Sequence, residues 1–295
     1  MSLPRGATNA RRVGGGDINE AWRVTLADGR EAFVKTRPDA GAGEYATEAR
    51  GLQWLAEPVA LRTPRVLEVA EDYLVLEWVQ PGSLSADGAE ELGRGLALTH
   101  AAGAPAFGAA AHGAPGAMSA AEHHQTDGES DAAASTFGSL RLPNDPTPDW
   151  PAFYAQRRLL PLVAIARERR ALSEPGAHDV QAVCERLPSL AGPPESPARL
   201  HGDLWSGNAM ADVEGRPWLI DPSAYGGHRE VDLAMLRLFG APSPRVFAAY
   251  QEATPLAAGW EERVELWQLL PLLVHAVLFG GAYIGAAERV AERYT

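Results

Sequence analysis

The sequence predicts a two-lobed α+β fold, with a small β-rich unit over residues 1–80 and a larger, mainly helical unit over 81–295. Three observations carry this. Short alternating segments punctuated by Gly and Asp turns fill residues 12–80. Beyond residue 86 most periodic stretches repeat at helical spacing. Pro81-Gly82 breaks the chain between the two regimes, a natural hinge.

In chain order, Gly14-Gly15-Gly16 forms a glycine turn between two strands, and residues 21–26 and 31–36 form a hairpin around Asp28-Gly29. Residues 43–56 are helical, with Ala46, Ala49, Leu52 and Leu55 spaced for a buried face. Residues 64–70 and 73–79 are two further strands across the Glu71-Asp72 turn. After the hinge, 86–101 is an amphipathic helix, and 103–135, rich in Ala, Gly, Ser and His without periodicity, is a loop. Residues 150–172 and 178–190 are helices separated by Pro175-Gly176. Short strands at 199–201 and 216–221 frame a polar segment, and 230–294 is helical.

Composition narrows the function. A net charge of −12 disfavours nucleic acid and anionic membranes as partners. The single cysteine, Cys184, excludes an intrachain disulfide and suggests a reducing, cytoplasmic setting. No apolar region follows the basic N-terminal residues as it would in a signal peptide. The apolar run 266–284 is interrupted by Gln268, Pro271 and His275, so it reads as buried helix rather than a membrane span. His112, His123 and His124 lack a complete zinc ligand set.

The chemistry is concentrated in His201-Gly202-Asp203-Leu204-Trp205-Ser206-Gly207-Asn208, followed by Ile220-Asp221-Pro222-Ser223. Kinase-like phosphotransferases space an Asp, an Asn and a second Asp in this way. Asp203 would accept or orient the proton of an attacking hydroxyl. Asn208 and Asp221 would offer oxygen ligands to Mg²⁺, a hard cation. Of 26 basic residues other than His, Lys35 is the only lysine. It ends the run Phe33-Val34-Lys35, and a compact ammonium suits a phosphate contact better than a planar guanidinium. Glu48, one helical turn before Leu52, is the expected partner of Lys35, ahead of Glu44. Gly14, Gly15 and Gly16, with Asp17, Ile18 and Asn19, would let backbone N–H groups approach ATP phosphates; alone the triple glycine is an ordinary turn, but a hairpin ending in Val-Lys follows it. Glu77 and Val79, just before the hinge, complete the expected nucleotide site. Asp232 follows Asp221 by eleven residues, too few for the activation segment of a protein kinase, so the acceptor is expected to be small.

On these residues the chain resembles the fructosamine kinase (ketosamine-3-kinase) family, a branch of the aminoglycoside-phosphotransferase-like kinases. The likeness runs through Gly-Gly-Gly-Asp-Ile-Asn at 14–19, Phe33-Val34-Lys35, Glu48 with Gly51-Leu52, and Phe137-Gly138 through Pro143-Asn144. It continues through Trp150-Pro151, Phe153-Tyr154, Arg157-Arg158-Leu159, the 201–208 motif and Asp221-Pro222. Trp205 is its sharpest feature, because related antibiotic and choline kinases usually carry another residue there. The resemblance implies a protein-kinase-like fold and ATP- and Mg²⁺-dependent phosphorylation of the sugar 3-hydroxyl of ketosamines, small glycated amines, with an unstable product that frees the amine. Trp205 could cover the sugar or serve the core, and His201, His228 and Asp232 are expected around the substrate; His201 also suits a purely scaffolding role, and His228 and Asp232 could shape the site behind Asp221. His100 and His275, in apolar helical runs, read as core histidines. The alternative acceptors are an aminoglycoside or an amino alcohol such as choline. A non-catalytic nucleotide-binding module is disfavoured because Lys35, Asp203, Asn208 and Asp221 are all present.

Overall fold

A computed structural model describes residues 3–14, 19–37, 40–41, 43–108, 134–240 and 242–295. The N-terminal region is a five-stranded antiparallel sheet ordered β1-β2-β3-β5-β4, formed by β1 (Thr8–Arg12), β2 (Glu20–Thr25), β3 (Glu31–Thr36), β4 (Val66–Val69) and β5 (Tyr73–Glu77). The period-2 alternation divides its side chains between two faces. Leu74 and Leu76 pack with Tyr45, Ala49 and Leu52 of helix α1 (Glu44–Ala56). Val24, Ala32, Val34 and Val75 form a cluster of their own. Phe33 joins the α1 cluster, so Lys35, two residues on, points to the same side as that helix.

The chain crosses at 78–81 into α2 (Ala86–Ala101), whose Ser85 cap accepts a hydrogen bond from the Gly88 N–H at 2.9 Å. Next described are a hairpin of β6 (Ala134–Phe137) and β7 (Leu140–Pro143), helix α3 (Trp150–Phe153), a π-helical stretch (Tyr154–Leu159) and α4 (Leu160–Arg169). Helix α5 (Glu174–Leu190) precedes four short strands: β8 (Ala198–Leu200), β9 (Ala209–Ala211), β10 (Pro217–Leu219) and β11 (Tyr225–Gly227). β8 pairs with β11 and β9 with β10, which closes the motif segment into two neighbouring loops. Helices α6 (Glu230–Leu238), α7 (Pro244–Ala253), α8 (Trp260–Phe279) and α9 (Ala282–Arg293) complete the fold. One core gathers Trp150, Phe153, Tyr154 and Trp267, and a second places Leu204 and Leu219 of the motif segment against Leu92, Leu96, Leu233 and Tyr250.

Three local expectations are corrected. Pro175-Gly176 does not separate helices: Ser173 caps α5 by accepting from the Gly176 N–H at 3.1 Å, and Pro175 sits in the first turn, where its missing N–H costs nothing. The expected 150–172 helix is interrupted by the π-helical stretch. The expected loop 103–135 gives way at Ala134 to a strand, and its residues 109–133, with His112, His123 and His124, lie outside those described. The apolar run 266–284 is divided by Gly280 and Gly281, both at positive φ, and no helix among the described residues is long and apolar enough to cross a membrane.

Candidate active site

The two regions enclose a cleft of about 1340 Å³. Ala21, Phe33 and Leu76 give it an apolar surface from the sheet, and 77–81 line it where the chain crosses, so Glu77 and Val79 are both at its wall. Gly14 and Asn19 line it too, and Asn19 Oδ1 accepts from the Tyr45 hydroxyl at 3.0 Å. Gly15, Gly16, Asp17 and Ile18 lie outside the described residues.

Lys35 Nζ donates to Glu48 Oε2 at 2.8 Å and to Asp221 Oδ1 at 2.9 Å. Glu44 instead pairs with Arg37 at 2.7 Å. Burial works against the Lys35 ammonium, but the two carboxylates outweigh it and hold it well above the ordinary lysine range. Burial pushes Glu48 up to about 7 despite Lys35, in keeping with its buried Oε1, which has no hydrogen-bond partner. At Asp221 the same burial is overcome by Lys35, and the carboxyl titrates below its usual range. Asp221 also has a φ of 52°, a left-handed backbone uncommon outside glycine, two residues past the strand that ends at the buried Leu219.

The loop carrying Asp203 is clamped from behind. Asp232, in the first turn of α6, accepts from the backbone N–H groups of His201 (2.7 Å) and Gly202 (2.9 Å). His100 Nε2 donates to the same carboxylate at 3.2 Å, and its Nδ1 meets the Tyr250 hydroxyl at 2.8 Å. Burial alone would raise Asp232, but these donors keep it low, as an anion. His201 Nε2 donates to Ile220 O (2.8 Å) and its Nδ1 accepts from the Asp203 N–H (3.3 Å), which fixes one neutral tautomer; burial lowers its pKa in the same sense. Gly202 has φ +83°, and a Cβ there would stand 2.0 Å from Ser223 O. Asn208 Nδ2 donates to Asp203 O (2.8 Å) and Oδ2 (3.2 Å), so the amide oxygen is its remaining group for a cation. Burial and the nearby Asp221 charge push Asp203 up to about 7.

Beyond Asp203 the wall turns aromatic. Trp205 is 38% exposed, lies against Gly207, where a Cβ would meet its ring at 2.3 Å, and stands edge-on to Phe239 at 6.3 Å. Phe239, His275, Phe279 and Tyr283 extend the wall, with His275 4.8 Å from Phe239 and 4.9 Å from Tyr283. His275 is thus a cleft residue, which corrects its reading as core: its Nδ1 donates to Pro271 O (2.7 Å) and burial lowers its pKa, keeping the ring neutral. The substrate reading of His201, His228 and Asp232 is also corrected. All three are buried (1%, 3% and 0% exposed) and none lines the cleft; they lie behind the loop. His228 stacks on Trp267 and stands 3.7 Å from Glu195.

The donor set fits a small hard cation. Asn208 and Asp221 offer one neutral and one anionic oxygen ligand, and no cluster of three or more His, Cys, Asp or Glu able to hold a metal exists among the described residues. Mg²⁺ characteristically takes one or two protein ligands and completes its shell with phosphates and water.

Comparison with known proteins agrees with this geometry. The family model described as fructosamine kinase matches residues 4–295. The chain belongs to the fructosamine kinase family. It is 38% identical over 276 residues to a probable ketoamine kinase of Thermus thermophilus, covering 93% of this chain and 90% of that one. A chloroplastic protein-ribulosamine 3-kinase of Arabidopsis thaliana is 31% identical over 295 residues, covering 97% and 82% respectively. A crystal structure from Thermobifida fusca YX-ER1, ascribed a fructosamine-3-kinase role, superposes with a TM-score of 0.84 at 40% identity over 98% of this chain and 93% of that one. The choline kinase LicA of Streptococcus pneumoniae, at 13% identity and a TM-score of 0.58 over 98% of this chain and 94% of that one, shares the fold alone. The protein is therefore a kinase-fold phosphotransferase that acts on a sugar hydroxyl.

Proposed function

We propose that this member of the fructosamine kinase family uses Mg²⁺ and ATP to phosphorylate the 3-hydroxyl of a ketosamine, a fructosamine or ribulosamine adduct, and so starts its deglycation. The observation that carries the reading is the convergence of Lys35, Asp203, Asn208 and Asp221 on one cleft whose far wall is Trp205 and its aromatic neighbours. Lys35, Gly14 and Asn19 serve the nucleotide, with Glu48 orienting Lys35 and 77–79 bordering the base. Asn208 and Asp221 would hold Mg²⁺, which supplies charge neutralisation on the phosphates when bound. Asp203 accepts the proton of the sugar hydroxyl as that oxygen attacks the γ-phosphorus, and a pKa of about 7 suits an acceptor working at neutral pH. Transfer is direct and in line: the bond from the γ-phosphorus to the oxygen shared with the β-phosphate breaks as the new bond forms, ADP leaves, and rate is gained mainly from positioning.

The aromatic wall favours a ketosamine over a polycationic antibiotic. Apart from Asp203 and Asp221, the carboxylates lining the cleft are Glu44, Glu48 and Glu77, each engaged by a basic residue of the sheet region. Flat rings suit the apolar face of a sugar and the carbon beside its ammonium. The test is ADP release with Mg-ATP against ribulosamine, fructosamine, aminoglycoside and choline acceptors, beside Asp203→Asn. Turnover confined to ketosamines and lost in the variant supports the reading; turnover on the other acceptors alone overturns the substrate.

A further inference from the structure

We propose that Arg158 is a positioning residue for acceptor binding: its guanidinium fixes the β6–β7 hairpin so that Thr136, Phe137 and Gly138 are presented to the cleft. This rests on assigning the end of the cleft away from the hinge to the acceptor.

Arg158 is fully buried, and no carboxylate pairs with it among the described residues. Its bonds run instead to neutral groups. Nη1 donates to Pro143 O at 2.6 Å and to Arg157 O at 3.0 Å, and Nη2 to Asn144 Oδ1 at 2.8 Å and Ser135 Oγ at 3.3 Å. Three of the four acceptors belong to the hairpin or its exit. The guanidinium carbon also lies over three rings, at 4.3 Å from Tyr225, 4.5 Å from Phe153 and 5.5 Å from Phe137. One cation thus connects the hairpin to β11, the strand that follows Asp221 and pairs with the strand leading into the Asp203 loop.

The hairpin and the hinge abut different elements. Gly82 abuts Asp212 at the β9–β10 turn, whereas Phe137 stands edge-on to Tyr225 at 6.4 Å, beyond Pro222 and Ser223. Thr136, Phe137 and Gly138 nevertheless line the same cleft as Asp203 and Trp205.

Stability alone does not account for such a group. Burying a cation without a carboxylate beside it is costly, and only neutral acceptors and ring faces offset that cost here. What Met or Leu cannot supply is a planar fork that binds several acceptors at fixed angles and lies on ring faces. Arg158 also sits in the π-helical stretch, a departure from regular helix often found near functional sites.

The test compares wild type with Arg158→Met and Arg158→Lys in steady-state kinetics on a ketosamine, thermal melts and hydrogen exchange of residues 134–143. The expected result is an acceptor KM raised about tenfold or more, an ATP KM within about twofold, a melting temperature lowered as the buried acceptors lose their donor, and faster exchange confined to the hairpin. Lysine, lacking the fork, does not restore the acceptor KM. An unchanged acceptor KM, or ATP and acceptor KM values that rise together, overturns the proposal. If Arg158→Met does not fold, the double variant Ser135→Ala, Asn144→Ala decides by the same split. If wild type turns over no ketosamine, the proposed substrate fails on its own, and unchanged hairpin exchange in Arg158→Met would separately overturn the positioning role.

Discussion

Lys35 of the sheet and Asp221 of the helical region, 186 residues apart in the chain, meet at 2.9 Å. The contact gathers the ammonium proposed for the phosphates and the carboxylate proposed for the metal at one point, and Glu48 holds the ammonium from the other side.

Replacing Lys35 by Arg keeps the charge but sets a planar fork, in place of a compact head, between Glu48 and Asp221. Lys35→Arg is expected to lower kcat/KM by about 10²–10³-fold, chiefly by misplacing the phosphates. Steady-state ADP release measures it; activity within a few-fold of wild type would remove Lys35 from the phosphate site.

Asp203 titrates at about 7, above the unfolded carboxyl value, so the folded state binds more protons than the unfolded chain between about pH 4 and 7. Its contribution to stability therefore falls as pH rises through that window and stays low above it. Asp203→Asn lacks this effect. Without nucleotide or divalent cation, the variant is expected to be more stable than wild type at pH 8, by about 2 kcal/mol, with the difference shrinking toward pH 4. Denaturant melts at the two pH values check the sign, and the gain should accompany a loss of turnover.

Asn208 keeps its amide nitrogen on Asp203, which leaves the oxygen for the cation. Asn208→Ala is expected to raise the Mg²⁺ concentration for half-maximal activity about tenfold or more, and chelation should abolish turnover in wild type. A Mg²⁺ titration with identical midpoints would remove Asn208 from the metal site.

Asp232 satisfies two backbone donors and His100 with one buried carboxylate. Asp232→Asn presents an amide N–H to one of those donors, with an expected cost of about 2–4 kcal/mol in stability and a fall in kcat as the Asp203 loop loosens. Unfolding curves and kcat, read together, test it.

Truncating His275 or Phe239 to Ala should raise the acceptor KM about five- to twentyfold and leave the ATP KM unchanged. Equal effects on both substrates would return His275 to the core.

Much of this arrangement is legible in the sequence wherever the residue type is scarce or the spacing regular. Lys35 stands out because no other lysine competes with it, and intervals of five and thirteen residues single out Asp203, Asn208 and Asp221. Glu48 follows from a helical face, and Glu44 turns to Arg37. Other features carry no such signal. Helix α8 buries residues all round, so periodicity gives no cleft side on which to place His275. The β6–β7 strands are four residues long and follow a compositionally loose stretch, leaving no alternation to count. His201, His228 and Asp232 are near the chemistry in sequence, yet their function depends on which backbone groups need satisfying, a property of the folded loop. Arg158 belongs to a segment that carries the family likeness, but nothing in the sequence gives it a role, and its burial among rings does.

The lone, half-buried Lys35 has a consequence for the protein's own chemistry with sugars. Reducing sugars condense with free, unprotonated amines, and the only lysine amine here is shielded, fully ion-paired and held protonated by two carboxylates. A protein proposed to repair glycated amines thus exposes almost no lysine to the damage it would correct. Prolonged incubation with ribose should leave its lysine unmodified in intact-mass and peptide analysis, and modification should appear there only once the chain is unfolded.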